Sequence, residues 1–163
     1  MNDIVEAIIE IPMGGKNKYE IQKSTGLIKL DRVLFTSMSY PAEYGYINNT
    51  LSEDGDPLDI LILSSYETFP GCIVDARIVG YLDVIDNGQG DQKVIAVVNK
   101  DPRFDHIKDL NDIPKPTLDI IKNFFQTYKT LQKIKVEARE YHNKEKALEL
   151  LEKNKKMYLD SKK

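Results

Sequence analysis

The sequence predicts an α+β protein, a small closed β-barrel with helices packed outside it. Short apolar runs of strand length, separated by Gly, Pro, Asn and Asp turn signals, fill the N-terminal two thirds. The apolar period turns helical in the C-terminal third. Asn87-Gly88 between two apolar runs marks a tight hairpin. Several short strands at such spacing favour closure into a barrel.

The first strand is expected over Ile4 to Ile11, ended by Pro12, Gly14 and Gly15. Tyr19 to Ile21 and Leu27 to Leu30 flank the turn signal "KSTG" and supply the second and third. Leu58 to Leu63 is a fourth, Ile73 to Val84 a long fifth and Val94 to Val98 a sixth. Leu118, Ile121, Phe124, Phe125, Tyr128 and Leu131 then recur at helical spacing, with Pro116 suited to the first turn. A last helix is expected from about Asn143 to Tyr158, with Ala147, Leu148, Leu150, Leu151 and Met157 apolar. Lys153, Lys155 and Lys156 fall near its expected end, where the helix dipole favours cations.

The 163 residues fit one domain spanning 1–163, long enough to bury roughly 70% of the surface of the unfolded chain. The net charge of −3 weighs against a nucleic-acid partner. A single cysteine, Cys72, excludes an intrachain disulfide and cannot form a zinc site by itself, which points to a reducing, cytoplasmic setting. Asp3, Glu6 and Glu10 argue against a secretory leader. The longest apolar runs, such as Val94 to Val98, are far too short to span a membrane, so no membrane partner is expected.

The densest chemistry lies in "SEDGDPLDILIL", Ser52 to Leu63. Asp54, Asp56 and Asp59 fall within six residues, and an apolar run follows at once. Pro57 fixes a bend and Gly55 relaxes the backbone between two charges, so the carboxylates can curl toward one point. Unpaired, they would repel and their pKa values would rise. A hard divalent cation resolves that conflict, and oxygen-only ligands suit Mg²⁺, Mn²⁺ or Ca²⁺. The plainer alternative is an acidic, solvated turn before a strand. An EF-hand fits poorly, because counting from Asp54 its sixth and twelfth positions hold Asp59 and Ser65.

"DVIDNGQGDQK" adds Asp83, Asp86 and Asp91, by itself a hairpin tip, and beside the first cluster a place for further metal. Lys18 and Glu20 share one face of a strand, being two residues apart. Arg32, the tyrosines of "SYPAEYGYI", Tyr128 and Lys129 complete a set of many carboxylates with a few cations. Singly, Tyr128 reads as core and Lys129 as solvated surface. Together the set suits a metal-bridged polyanion such as phosphate.

These residues resemble the family I soluble inorganic pyrophosphatases, of bacterial type. The resemblance rests on "EDGDPLDILIL", "EIP" at Glu10, "KYE" at Lys18, "DR" at Asp31, "SYPAEYGYI", "FDHIKDLNDIP" and "FFQTYK", in order over roughly residues 10 to 129. It implies a five-stranded OB-like closed barrel with helices outside, hydrolysing pyrophosphate to two orthophosphates. By resemblance, Asp54, Asp59 and Asp91 hold a first Mg²⁺, Asp59 also serves a second, and Asp86 with Asp91 holds a third. Glu20 faces the ion that arrives with substrate, for three to four in all. Asp56 matches the general base for the attacking water. Lys18, Arg32, Tyr44, Lys93, Tyr128 and Lys129 match phosphate-contacting positions, and Glu10 and Tyr40 supporting ones. The family likeness implies that Mn²⁺ or Zn²⁺ substitutes. Ca²⁺ is expected to inhibit, because it prefers longer bonds and looser geometry.

Seven of these residues are acidic and four basic, so the metals reverse the sign of the site before an anionic substrate enters. A homo-oligomer is implied, the bacterial hexamer among its forms. Bacterial members often place histidines where Asn123 and Thr127 stand, at a subunit contact, and their absence weighs against that hexamer. Members also often carry an acidic residue where Asn87 stands. The rival readings are another D-x-D phosphotransferase or glycosyltransferase and a non-enzymatic OB-type binding module. The first would call for a Gly-rich nucleotide loop, the second for a basic stripe with exposed aromatics, and neither is present.

Overall fold

Two continuous apolar runs, 60–62 and 94–97, become strands buried on both faces within the frame. In the computed structural model, which describes residues 2–163, the chain runs β1 (Ile4–Ile11), β2 (Asn17–Ile21), β3 (Ile28–Val33), β4 (Glu43–Ile47), β5 (Asp59–Leu63), β6 (Ile73–Asp86), β7 (Gln89–Gly90), β8 (Lys93–Val98), α1 (Lys115–Thr127), β9 (Val136–Asn143) and α2 (Lys144–Ser161). Five strands close a ring in the order β1-β4-β5-β8-β6, and β6 pairs back onto β1. Every pairing in the ring is antiparallel except β5 with β8. This is the expected OB-like barrel. The hairpin β2–β3 stands outside it as a separate sheet.

β6 makes closure possible because it is fourteen residues long. Its first half, Ile73 to Arg77, pairs with β1, and its second half, from Gly80, pairs with β9. Gly80 sits at the changeover, where a Cβ would lie 2.5 Å from the His142 carbonyl oxygen. Alternate residues of β5 and β8 feed two cores. Leu61, Ile95 and Val97 join Phe124, Phe125 and Tyr128 of the α1 region. Ile60, Ile62, Val94 and Ala96 join Ala147 and Leu151 of α2. Both faces are buried, so neither strand shows polar alternation.

The structure departs from the sequence reading in several places. β4 falls in the tyrosine-rich "SYPAEYGYI", to which the sequence reading gives no strand, and Pro41 and Gly45 are turn residues by type. Gly45 is there for another reason: a Cβ would stand 1.9 Å from the Ile8 carbonyl oxygen of the neighbouring strand. β9 escaped notice because charge dominates it and only Val136 and Ala138 are buried. Leu131 does not continue the α1 stripe: α1 stops at Thr127 and Leu131 lies in a 3-10 turn, exposed. α2 continues to Ser161, so Lys153, Lys155 and Lys156 lie inside it and its last turn holds no basic residue. Its start is as expected, with Asn143 accepting a capping bond from the Lys146 N–H. Pro116 lies in the first turn of α1. Among the described residues no helix is long and apolar enough to cross a membrane.

Candidate active site

The acidic loop joins β4 to β5, and its neck is closed by backbone and by Thr50. Ile47 N–H donates to the Leu58 carbonyl at 2.9 Å. The buried Thr50 hydroxyl donates to the Ile47 carbonyl at 2.6 Å and accepts from Leu58 N–H at 2.9 Å. Above the neck, Ser52 N–H donates to the Asp56 carbonyl at 2.7 Å, and Gly55 takes a positive φ of 88°. Asp56 N–H donates to Asp54 Oδ1 at 2.9 Å. Asp59 follows as the first residue of β5.

A second arm comes from the hairpin β6–β7. Asn87 and Gly88 form its two-residue turn with φ of 52° and 84°, the positive values a type I′ turn needs. That turn sets Asp86 at the tip, and Asp91 returns with its N–H on the Val84 carbonyl at 2.8 Å. The parallel register of β5 and β8 then places Lys93 beside Asp59. Lys93 is 1% exposed, and its Nζ donates to Asp59 Oδ2 at 2.7 Å, Tyr44 Oη at 2.8 Å and Asp91 Oδ2 at 2.9 Å. Burial works against its charge. Asp59, Tyr44 and Asp91 outweigh burial and hold its pKa well above the usual lysine value.

Two bulges shape the third side. In β1, Ile9 pairs with Gly45 and Ile11 with Tyr44, which leaves Glu10 as the extra residue. In β3, Arg32 pairs with Lys18 and Leu30 with Tyr19, which leaves Asp31 unpaired and sets the two cations opposite each other. The Arg32 guanidinium rests on Asp31 at 2.6 Å. At the C-cap of α1, Tyr128 places its ring among Tyr40, Phe124 and Phe125 with its hydroxyl 3.4 Å from Asp86 Oδ2. Lys129 Nζ lies 2.5 Å from the same oxygen. Burial pushes the phenols of Tyr40, Tyr44 and Tyr128 upward, so all three stay protonated.

These arms enclose a cavity of about 460 Å³ lined by Lys18, Arg32, Tyr40, Tyr44, Asp54, Asp56, Asp59, Asp86, Asp91, Lys93, Tyr128 and Lys129. Every residue to which the family likeness gives a role is there except Glu10 and Glu20. Those two line an adjoining cavity of about 560 Å³, which shares Lys18, Arg32, Asp56 and Asp59 with the first. Asp83 lines neither. Gln89, Gln132 and Ile134 line the first cavity and carried no signal in the sequence. The buried Glu43 was missed too. It accepts from the N–H groups of Met13 and Thr68 and from the Thr68 hydroxyl, tying two loops together.

The donor set fits a hard divalent cation. The acceptors among the lining side chains are carboxylate, phenol and amide oxygens, with no histidine or cysteine among them. Burial, then the neighbouring Asp91 and Asp56, raise the Asp54 carboxyl above its ordinary range, despite the Asp56 N–H. Burial also raises Asp91, Lys93 opposes it, and Asp59 adds to it. Burial lifts Glu10 to about 7, against Lys18 and with Asp59 and Glu20. Carboxylates pushed upward by burial and by one another are what a bound cation relieves. Among the described residues no three such groups already converge on one point, because the carboxylates ring the cavity with the Lys93 and Lys129 ammonium groups between them.

A family model described as inorganic pyrophosphatase matches residues 7–159. The inorganic pyrophosphatase of Halalkalibacterium halodurans is 55% identical over 149 residues, 91% of each chain. That of Geobacillus stearothermophilus is 50% identical over 151 residues, 93% of this chain and 92% of the relative. The crystal structure of the Thermus thermophilus inorganic pyrophosphatase superposes with a TM-score of 0.91 at 44% identity, covering 96% of this chain and 91% of that one. Barrel, cavity and relatives agree, and the chain belongs to the inorganic pyrophosphatase family as a family I enzyme that hydrolyses pyrophosphate to orthophosphate.

Proposed function

We propose that the chain is a Mg²⁺-dependent inorganic diphosphatase whose reaction takes place in the 460 Å³ cavity. The observation that carries this is the gathering of five aspartates and four cations around one space from five separate segments of the chain. The family works with a divalent cation. Asp54, Asp59, Asp86 and Asp91, with Glu20 from the adjoining cavity, would hold three to four Mg²⁺. When bound, the ions neutralise the diphosphate and lower the pKa of a water toward neutrality.

The protein's own groups then have defined work. Asp56 is the general base: it takes a proton from the water that attacks one phosphorus in line. Its backbone is held to Asp54, so base and ligand move together. Lys18 and Arg32, paired across the β2–β3 ladder, hold the phosphate oxygens on one side, and Lys129 with the Tyr128 hydroxyl holds them on the other. These cations stabilise the leaving phosphate as the bridging bond breaks. Lys93, fixed by Asp59, Tyr44 and Asp91, gives the centre a positive charge that needs no reorganisation. Glu10 and Tyr40 support the walls.

Release of phosphate from pyrophosphate, measured with and without Mg²⁺, tests the reading. Asp56→Asn is expected to lower turnover by about 10²–10⁴-fold with Mg²⁺ still bound, the usual size of a general-base contribution. Asp54→Asn is expected to weaken Mg²⁺ binding, with added Mg²⁺ restoring part of the rate. Wild-type turnover of both variants at low Mg²⁺ would overturn the assignment. The same reading takes residues 1–163 as one catalytic domain that acts in the cytoplasm and assembles as a homo-oligomer. In α1 the positions 123 and 127 hold Asn and Thr, which carry no imidazole, and the Thr127 hydroxyl donates to the Asn123 carbonyl at 2.8 Å within its own helix. Sedimentation of the purified protein decides between a hexamer and a smaller assembly.

A further inference from the structure

α2 is joined to the acidic loop in a way that packing a helix on a sheet does not require. Its buried residues are Ala147, Leu151 and Asn154, at i, i+4 and i+7. The third is polar, yet only 3% exposed. A carboxamide buried without partners costs about 1–3 kcal/mol, so an apolar residue would serve the stripe better. The bonds of Asn154 go to one place. Its side-chain Nδ2 donates to Ser52 Oγ at 3.0 Å, and its backbone carbonyl accepts from Leu51 N–H at 3.0 Å.

Both partners belong to the limb that carries the aspartates. The Ser52 carbonyl accepts from Gly55 N–H at 3.0 Å, and the Ser52 N–H donates to the Asp56 carbonyl at 2.7 Å. One bond beyond Ser52 therefore reaches Gly55 and Asp56, the two residues that follow Asp54. At its other end α2 is fixed, because Ala147 and Leu151 lie in the core with β1, β5, β6 and β8. The neighbouring Lys153 stands 3.3 Å from Glu53, but that pair is exposed and holds little.

We propose that Asn154 is a positioning residue for the cation site: it ties the Leu51–Ser52 limb to α2 and so holds Asp54 and Asp56 at the spacing the cation needs. This rests on the reading of Asp54 as a cation ligand. Ordering a loop residue costs about 1–2 kcal/mol, and a loop ordered beforehand does not charge that cost to binding. Loss of the tie therefore shows in Mg²⁺ affinity before it shows in turnover.

The test is a calorimetric titration of Mg²⁺ without substrate into wild type, Asn154→Leu, Ser52→Ala and the double variant, with Asp54→Asn beside them. Asn154→Leu removes the donor and suits the apolar stripe. Ser52→Ala removes the acceptor from the loop side and disturbs no core. Each single variant is expected to weaken Mg²⁺ about fivefold, which is ~1 kcal/mol. The double variant is expected to lose no more than either, because both break one bond. Turnover at saturating Mg²⁺ is expected to return close to wild type. A purely structural role predicts the reverse: a lower melting temperature for the metal-free protein and unaltered Mg²⁺ affinity. Wild-type affinity in Ser52→Ala and Asn154→Leu, or additive losses in the double variant, overturns the proposal. If Asn154→Leu fails to fold, Ser52→Ala decides alone. If Asp54→Asn also binds Mg²⁺ as wild type does, it is the cation-ligand reading that fails.

Discussion

Tyr128 joins the core and the cavity wall in one side chain. Its ring fills the space between Phe124, Phe125 and Tyr40, while its hydroxyl reaches the cavity. Tyr128→Phe keeps the ring and removes only a long bond to Asp86. Melting is expected to change by no more than about 1 kcal/mol, while turnover falls or KM rises. Unchanged kinetics would reduce Tyr128 to a core residue. Asn87 is likewise double. Its φ of 52° satisfies the turn, and it lines the cavity beside Asp86. A glutamate there would pay about 1–2 kcal/mol in the left-handed region, so Asn87→Glu is expected to lower the melting temperature by roughly 2–4 °C per kcal/mol. The added charge is expected to tighten Mg²⁺ binding in the absence of substrate and to leave saturated turnover nearly unaltered. Calorimetry beside melting curves separates the effects, and a destabilised variant with wild-type affinity would defeat the electrostatic account.

Among the elements, β9 depends most on what surrounds it. Its outer residues are charged, and it is held by pairing with β6 and by Tyr141, whose hydroxyl donates to the Leu118 carbonyl of α1 at 2.7 Å. Burial, with Asp119 adding, raises the Tyr141 phenol above its ordinary value. In the unfolded chain it ionises near pH ~10, while the native protein keeps the proton to higher pH. Its stabilising effect is therefore complete below about pH 10 and lost as pH rises from there toward the native value. Tyr141→Phe is expected to lower stability at neutral pH by about 1 kcal/mol. Between pH 10 and 11 it is expected to flatten the loss of stability by up to one proton, ~1.4 kcal/mol per pH unit. Urea unfolding at several pH values reads this, and parallel pH slopes would place the titration elsewhere.

At the scale of the molecule, the cavity is closed by segments far apart in sequence, so a cation bound there holds the barrel, the β6–β7 hairpin and the acidic loop together. Binding to the native state alone raises stability by about 2.7 kcal/mol at a hundred times Kd. Mg²⁺ is thus expected to raise the melting temperature by roughly 5–10 °C over protein in a chelator. Ca²⁺ is expected to raise it too, because it occupies the same oxygens, and yet to inhibit the Mg²⁺ enzyme, because its longer bonds place the water badly. Turnover in Ca²⁺ alone equal to that in Mg²⁺ would show that the site makes no demand on ion size.

The sequence by itself determined what lies within a short window. The apolar runs of β1, β5, β6 and β8, the Asn87-Gly88 turn, the two helices and the aspartate cluster are all local patterns, and each is where its residues say, except for the ends of the helices. Its family motifs also name the chemistry. Only the tertiary structure decided what depends on partners. Gly45 reads as a turn until Ile8 of the neighbouring strand explains it, and charged β9 is a strand only because β6 is long enough to pair with it. The partners of Lys93 are invisible until the parallel register of β5 and β8 sets it among Asp59, Asp91 and Tyr44. Asn154 is a flaw in an apolar stripe until Ser52, a hundred residues earlier, takes its hydrogen bond. The physical reason is the same each time. Propensity acts between neighbours in the chain, whereas the free energy of a buried polar group or a strand edge depends on what folding brings beside it.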